Sequence, residues 1–163
     1  MVGMVIDVNI RRLLASTEVD LHPEPMMIVS IDSREEEKTK NLLGELKAFS
    51  SVTFDYSEVS LVLKTEEWEE IEQSFNGFLV EGPYRLITFD IVLDLSIVGF
   101  LAAVSARLAE AGISIYALST FLRDHILVKE EDAKRAEKVL LQLIEECRED
   151  ERPIPGYSQE KKR

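Results

Sequence analysis

Asp94 and Asp124 are the carboxylates that ordinary helix chemistry leaves over. Most of the other conspicuous acidic residues fall in runs, "EEE" at 35–37, "EEWEE" at 66–70 and "EED" at 130–132. Each run opens an expected helix, where negative charge favours the helix dipole. Asp94 and Asp124 instead sit at the ends of expected strands, beside glycine- or hydroxyl-bearing segments. A carboxylate placed there can hold an ammonium group in a pocket. It can also be purely structural, Asp94 as a helix N-cap and Asp124 as a hairpin-turn residue.

Gly99 belongs to the same question. The stretch "SIVGFLAAVSARLAEAG", residues 96–112, reads as a helix capped by Ser96 and closed by Gly112. That puts Gly99 at the third helical position, where the capping pattern favours Glu or Gln. A glycine inside a helix costs up to about 1 kcal/mol relative to alanine, so something must favour it. Either the helix approaches the sheet closely there, or the missing side chain leaves first-turn N–H groups open to an anion. A free α-amino acid needs such donors for its carboxylate, and a side-chain carboxylate or strand carbonyl for its ammonium.

Other chemistry is scarce. His22 and His125 stand at no recognisable metal-ligand spacing from a cysteine or carboxylate, and each is expected to be structural or superficial. The single cysteine, Cys147, falls on the apolar side of an expected helix and reads as a core thiol. There is no glycine-rich phosphate loop and no G-x-S-x-G elbow. The sequence therefore predicts no catalytic residues, no metal site and no cofactor. An enzyme would require Asp94 and Asp124 to converge with His125 on an enclosed pocket.

The elements that position these residues repeat. "MMIVSID" from residue 26 is a strand, and the segment after it is a helix with capping-box spacing at Ser33 and Glu36 and an apolar face of Leu42, Leu46 and Phe49. "SVTFDY" and "EVSLVLK" are two strands, followed by a helix with Trp68, Ile71 and Phe75 on one side. The second half runs through the same order, from "RLITFDIVLD" to a final helix burying Ala133, Ala136, Leu140, Leu143, Ile144 and Cys147. "VIDVNIRRLL" alternates well enough to be an extra N-terminal strand, and "FNGFLVEGPYR" at 75–85 carries the glycines and proline of a boundary. The expected fold is α+β: two ferredoxin-like βαββαβ units with antiparallel sheets and helices packed on one face. The first unit spans 1–80, the second 81–148, and 149–163 is a flexible C-terminal tail.

Composition narrows the partners. With 31 acidic against 19 basic residues in 163, the net charge of −12 repels phosphate backbones, and nucleic acid is excluded as a partner. Apolar residues at 45% suit a protein with a core, yet no run approaches the ~18 apolar residues of a membrane span. The N-terminal stretch lacks the basic-then-apolar order of a signal peptide, and the expected location is cytoplasmic.

Three phrases then carry a resemblance. "EGPYRL", "LDLSIVGFLAAVSARLAEAGISIYALST" and "DHILVKEEDAKRA" resemble the ACT-domain proteins of the tandem type over about residues 81–138. The first half is similar only in architecture, best at "SEVSLVL". The resemblance implies amino-acid-binding regulatory domains, similar to those of aspartate kinase and to the building blocks of cytosolic arginine sensors. It implies a ligand against Asp94, Ser96, Ile97, Val98 and Gly99 and against the strand end at Ser119 and Thr120, with Asp124 matching the family's aspartate. Val98 stands where the family often has Thr, and "TFLRDH" replaces "TYDTDY". The implied partners are a small-molecule ligand, an amino acid, and a second copy in a homodimer, with a metabolic enzyme as the target of allosteric regulation. The alternative is a structural or interaction protein that keeps the fold, pairs with itself or an enzyme, and has lost the ligand.

Overall fold

Two long strands, paired along their lengths, organise the computed structural model, which describes residues 6–151. Helix α1 (Val8–Ala15) leads into β1 (Glu18–Asp32), a 3₁₀ turn at Ser33–Glu35 and α2 (Glu36–Leu42). Strands β2 (Ser51–Phe54) and β3 (Glu58–Lys64), helix α3 (Thr65–Ile71) and the second long strand, β4 (Phe78–Asp90), follow. The chain then forms α4 (Phe100–Glu110), β5 (Tyr116–Ser119), β6 (Asp124–Lys129) and α5 (Ala133–Glu151). All pairings are antiparallel, and the six strands form one sheet in the order β2-β3-β1-β4-β6-β5.

The outer strands attach to opposite ends of the central ribbon. β3 pairs with Met26–Asp32 of β1, whereas β6 pairs with Tyr84–Thr88 of β4. Proline placement follows from this. Pro23 and Pro25 lie on the stretch of β1 that β3 does not reach, and Pro83 lies just before β6 begins to pair with β4. A residue without an N–H is tolerated where no neighbouring strand needs that donor. The register is irregular at the same places, between Leu21 and Pro25 and between Met26 and Ile28.

Alternation along the strands sorts the core onto two faces. Leu86 and Val62 meet in one buried cluster with Met26 and Leu127, while their neighbours Ile87 and Leu61 point the opposite way by the period of two. Ile87, Phe89, Ile126 and Val128 pack under α1, α4 and α5, and Val29, Ile31, Val59, Leu61 and Leu63 pack under Trp68 and Phe75. Both of these clusters share a face, so the helices cover one side of the sheet, as expected. Each fully buried aliphatic or aromatic side chain there contributes about 1.5–3 kcal/mol. Cys147 is buried, with its thiol pushed up by burial.

Four expectations are corrected. "VIDVNIRRLL" supplies a helix and no strand: Asp7 accepts the Asn9 N–H at 2.9 Å as N-cap of α1, and Ile10 and Leu14, one helical turn apart, are both buried. The i, i+4 spacing prevails over the short alternation because it sends both side chains to the core. The segment 75–85 is largely strand, so the expected division at 80/81 falls inside β4. α2 stops at Leu42, and Phe49 lies on the sheet face away from the helices, its ring centroid 5.0 Å from that of His125. The last helix runs to Glu151, three residues into the expected tail; residues 152–163 lie outside those described.

Candidate functional site

The loop between β4 and α4 is shaped by its own side chains. Leu93, buried, donates its N–H to the carbonyl of Leu122 at 2.9 Å, tying the loop to the tip of the β5–β6 hairpin. Asp94 Oδ1 then accepts from the Ser96 N–H at 2.8 Å and from the Ser96 hydroxyl at 2.6 Å, and its carbonyl accepts the Ile97 N–H at 3.0 Å. This is a side-chain-closed turn rather than a helix cap. The Ser96 hydroxyl first, and its N–H second, hold the Asp94 carboxyl below its ordinary range.

Helix α4 begins at Phe100, not at Ser96, and Gly99 is its N-cap with φ 104° and ψ −7°. That conformation answers why a glycine stands there, since L-residues are disfavoured at positive φ. Space is not the reason: a Cβ on Gly99 would meet only Ile10 Cγ1, at an ordinary 3.6 Å. The cap offers no side chain to the first turn. The Ala103 N–H donates to the Gly99 carbonyl at 3.0 Å as the helix begins. By helix geometry the N–H groups of Phe100, Leu101 and Ala102 have no intrahelical acceptor, and they form the positive end of the helix dipole.

The facing wall is the hairpin. Ser119 Oγ donates to Asp124 Oδ1 at 2.5 Å, and the Thr120 N–H donates to the Arg123 carbonyl at 2.9 Å, closing the turn. Arg123 Nε reaches back to Asp90 Oδ1 at 2.8 Å. Loop, helix start and hairpin enclose a pocket of about 230 Å³. Of the residues singled out in the sequence, Asp94, Ile97, Gly99, Ser119, Thr120 and Asp124 line it. Ser96 and Val98 do not: Ser96 locks Asp94 from outside the pocket, and the Val98 side chain is 86% exposed. Sequence reasoning missed the apolar lining of Leu93, Leu95, Phe100 and Phe121, and it missed Arg123 as a pocket wall. The buried positions on either side of the loop, at the end of β4 and in the first turn of α4, are the signal that pointed there.

Two other features bear on the assignment. A larger hollow of about 440 Å³ lies at Gly82–Pro83 and Lys129–Glu131, but its carboxylates Glu81, Glu130 and Glu131 repel an anion. The first half has no counterpart of the pocket loop, because β1 passes straight from Asp32 into the 3₁₀ turn at Ser33. There Asp32 accepts the Arg34 N–H at 2.9 Å and pairs with the Arg34 guanidinium, which holds its carboxyl at about 2. Among the described residues no group of three His, Cys, Asp or Glu side chains is placed to hold a metal ion, and no helix is long and apolar enough to cross a membrane.

Residues 79–142 match the family model of the ACT domain. The match covers β4 through most of α5 and so includes every lining residue of the pocket. A protein of unknown function from Vibrio cholerae is similar in structure with a TM-score of 0.65 and 23% identity, over 83% of this chain and 96% of that one. The ligand-free regulatory subunit of aspartate kinase from Thermus thermophilus aligns with a TM-score of 0.58 and 13% identity, over 78% and 97%. Aspartate kinase from Clostridium acetobutylicum aligns with a TM-score of 0.60 and 14% identity, over 77% of this chain and 34% of that one. At such identities the likeness is one of fold. No curated protein sequence matches the chain.

Proposed function

We propose that this protein is a non-catalytic regulatory or sensor module that binds a free α-amino acid, or a similar small effector, in the pocket between the Leu93–Gly99 loop and the β5–β6 hairpin. The observation that carries the reading is the opposition of two charges across one small space. The uncapped first turn of α4 supplies N–H donors for a carboxylate, and Asp124, with Asp94 at the loop, supplies negative charge for an ammonium. At about 230 Å³ the pocket suits a single amino acid and is below the ~300–1,000 Å³ of drug-sized sites. Ser119 and Thr120 add hydroxyls, Ile97 an apolar contact, and Ser96 acts through Asp94. Val98 belongs to the rim.

The chain is read as two βαββαβ units that share the β1/β4 ribbon, with one ligand site, in the second unit. Exposed apolar residues that line the pocket, Leu95 and Phe121, and others adjacent to lining residues in the chain, Val92, Val98 and Leu122, support a homodimer that covers the pocket. The regulated partner would be a metabolic enzyme in the cytoplasm, and no cofactor is required. Regulatory relatives of the same fold support this class of function. Calorimetry with each of the twenty amino acids tests it: one of them is expected to bind with release of heat and to stabilise the fold, and silence from all at millimolar concentration would remove the sensor reading.

A further inference from the structure

Both histidines meet at one hydroxyl. Thr88 Oγ1 lies 2.8 Å from His22 Nε2 and 2.9 Å from His125 Nδ1, and His125 Nε2 lies 3.5 Å from Thr120 Oγ1, on the wall of the pocket. His125 is buried, with the Phe49 ring against it. His22 Nε2 is also 3.7 Å from Asp20 Oδ2, while the Arg85 guanidinium donates to the His22 carbonyl at 2.7 and 2.9 Å. Sheet register assembles the chain, since Asp20 pairs with Thr88 and Thr88 with His125 on adjacent strands.

A hydroxyl has one proton, so between two neutral imidazoles it donates to one and accepts from the other. The Asp20 carboxylate favours a hydrogen on His22 Nε2. That nitrogen then donates to Thr88 Oγ1, Thr88 donates to His125 Nδ1, and His125 is left as the Nε2–H tautomer facing Thr120. Thr120 Oγ1 also receives the Arg123 N–H at 3.3 Å. With its lone pairs met from behind, the Thr120 hydroxyl has its proton to offer, either to the Arg123 carbonyl at 3.2 Å or into the pocket. In the opposite ordering Thr120 would donate to His125 and turn a lone pair toward the ligand.

We propose that His125 is a positioning residue of the pocket: its tautomer, set through Thr88 by His22 and Asp20, makes Thr120 a hydrogen-bond donor to the carboxylate of the bound ligand. The proposal rests on the amino-acid reading for the ligand, but the tautomer is a property of the protein alone. The titratable and charged groups facing the buried ring are His22, Asp124 and Arg123, and none of them contacts Nε2 by hydrogen bond. Burial, the first of the influences on His125, keeps the ring neutral and therefore capable of holding a tautomer.

Two-bond ¹⁵N–¹H spectra of the ring nitrogens in the full chain test this, with glycine as the probe ligand read at the Thr120 amide. His125 is expected as the Nε2–H form, Thr88→Val is expected to abolish that preference and weaken glycine about tenfold, the effect of one hydrogen bond, and His125→Gln is expected to bind glycine more tightly than His125→Leu. An Nδ1–H form in the wild type, or a tautomer and a glycine affinity both indifferent to Thr88→Val, overturns the proposal. If glycine moves no amide, the site does not take this amino acid and the ring spectra alone decide: an Nε2–H form that depends on Thr88 supports the positioning of Thr120, and its absence overturns it.

Discussion

Ser119 Oγ lies 2.5 Å from Asp124 Oδ1, across the open end of the β5–β6 hairpin. The hydroxyl occupies one carboxylate oxygen, while Oδ2 has no hydrogen bond among the described residues. Asp124 is thereby fixed in orientation and still able to receive an ammonium group. Asp124→Asn keeps the shape and the acceptor for Ser119 but removes the charge. It is expected to weaken amino-acid binding about 10–100-fold, the range for a hydrogen bond to a charged group, with little change in thermal midpoint. Calorimetry of the variant decides, and an unchanged affinity would take Asp124 out of the site.

Gly99 is expected to resist substitution for a backbone reason. At φ 104°, alanine costs about 1–2 kcal/mol, which for a protein of this size lowers the thermal midpoint by roughly 2–8 °C. Binding should weaken as well, because the first-turn N–H groups follow the geometry of the cap. A Gly99→Ala protein with an unaltered melting curve would show that the left-handed cap is not required.

Acid should destabilise the fold through His125. Burial, and then His22, push its pKa down, so between the folded and unfolded values the unfolded chain binds more protons and stability rises with pH. The contribution is fully present above the unfolded value of about 6.5 and is lost as pH falls toward the folded one. Urea midpoints are expected to drop below about pH 6.5, and the drop should be smaller in His125→Gln. Equal pH dependence in the two proteins would rule out His125 as the source.

How much of this was readable in advance depended on how local each cause was. Ile87 and Phe89 alternate, Leu140 and Leu143 repeat with the helix, and both patterns survive because one face of each element is buried. Asp94, Gly99 and Asp124 stood out for their positions near element ends and Ser119 through the family resemblance, and all four line the pocket. The start of α4 was misplaced because periodicity continues through Ile97, and only the φ of Gly99 separates loop from helix. α1 was misread because alternation and helical spacing coexist in so short a segment. Phe49 and the two histidines were beyond reach: their meeting depends on strand register and on a loop crossing the sheet, with His22 and Thr88 66 residues apart.

α1 is expected to be part of the core and not an appendage. Leu14 is 1% exposed in the cluster shared with α4 and α5, and Arg11 pairs with Asp150 at 3.3 Å at the far end of α5. Leu14→Ala should cost about 2–5 kcal/mol, a large share of the ~5–15 kcal/mol that stabilises a typical domain. Urea denaturation measures it, and a loss below about 0.5 kcal/mol, the level of an ordinary surface change, would mean that α1 frays from the sheet.

The mouth of the pocket carries the last prediction. Leu95 and Phe121 are 74% and 77% exposed on opposite walls of the same opening, the first on the ligand loop and the second at the hairpin tip. Large apolar side chains clustered at one place on a chain of net charge −12 favour association there, since elsewhere like charge keeps copies apart. A dimer formed on this rim would desolvate the pocket and strengthen both the helix-dipole contact and the Asp124 contact with a ligand. Phe121→Glu is therefore expected to shift the protein toward monomer in sedimentation equilibrium and, in the same variant, to weaken amino-acid binding without altering the circular dichroism spectrum. If the variant remains dimeric, another surface joins the copies. If it becomes monomeric with binding intact, one chain suffices to hold the ligand.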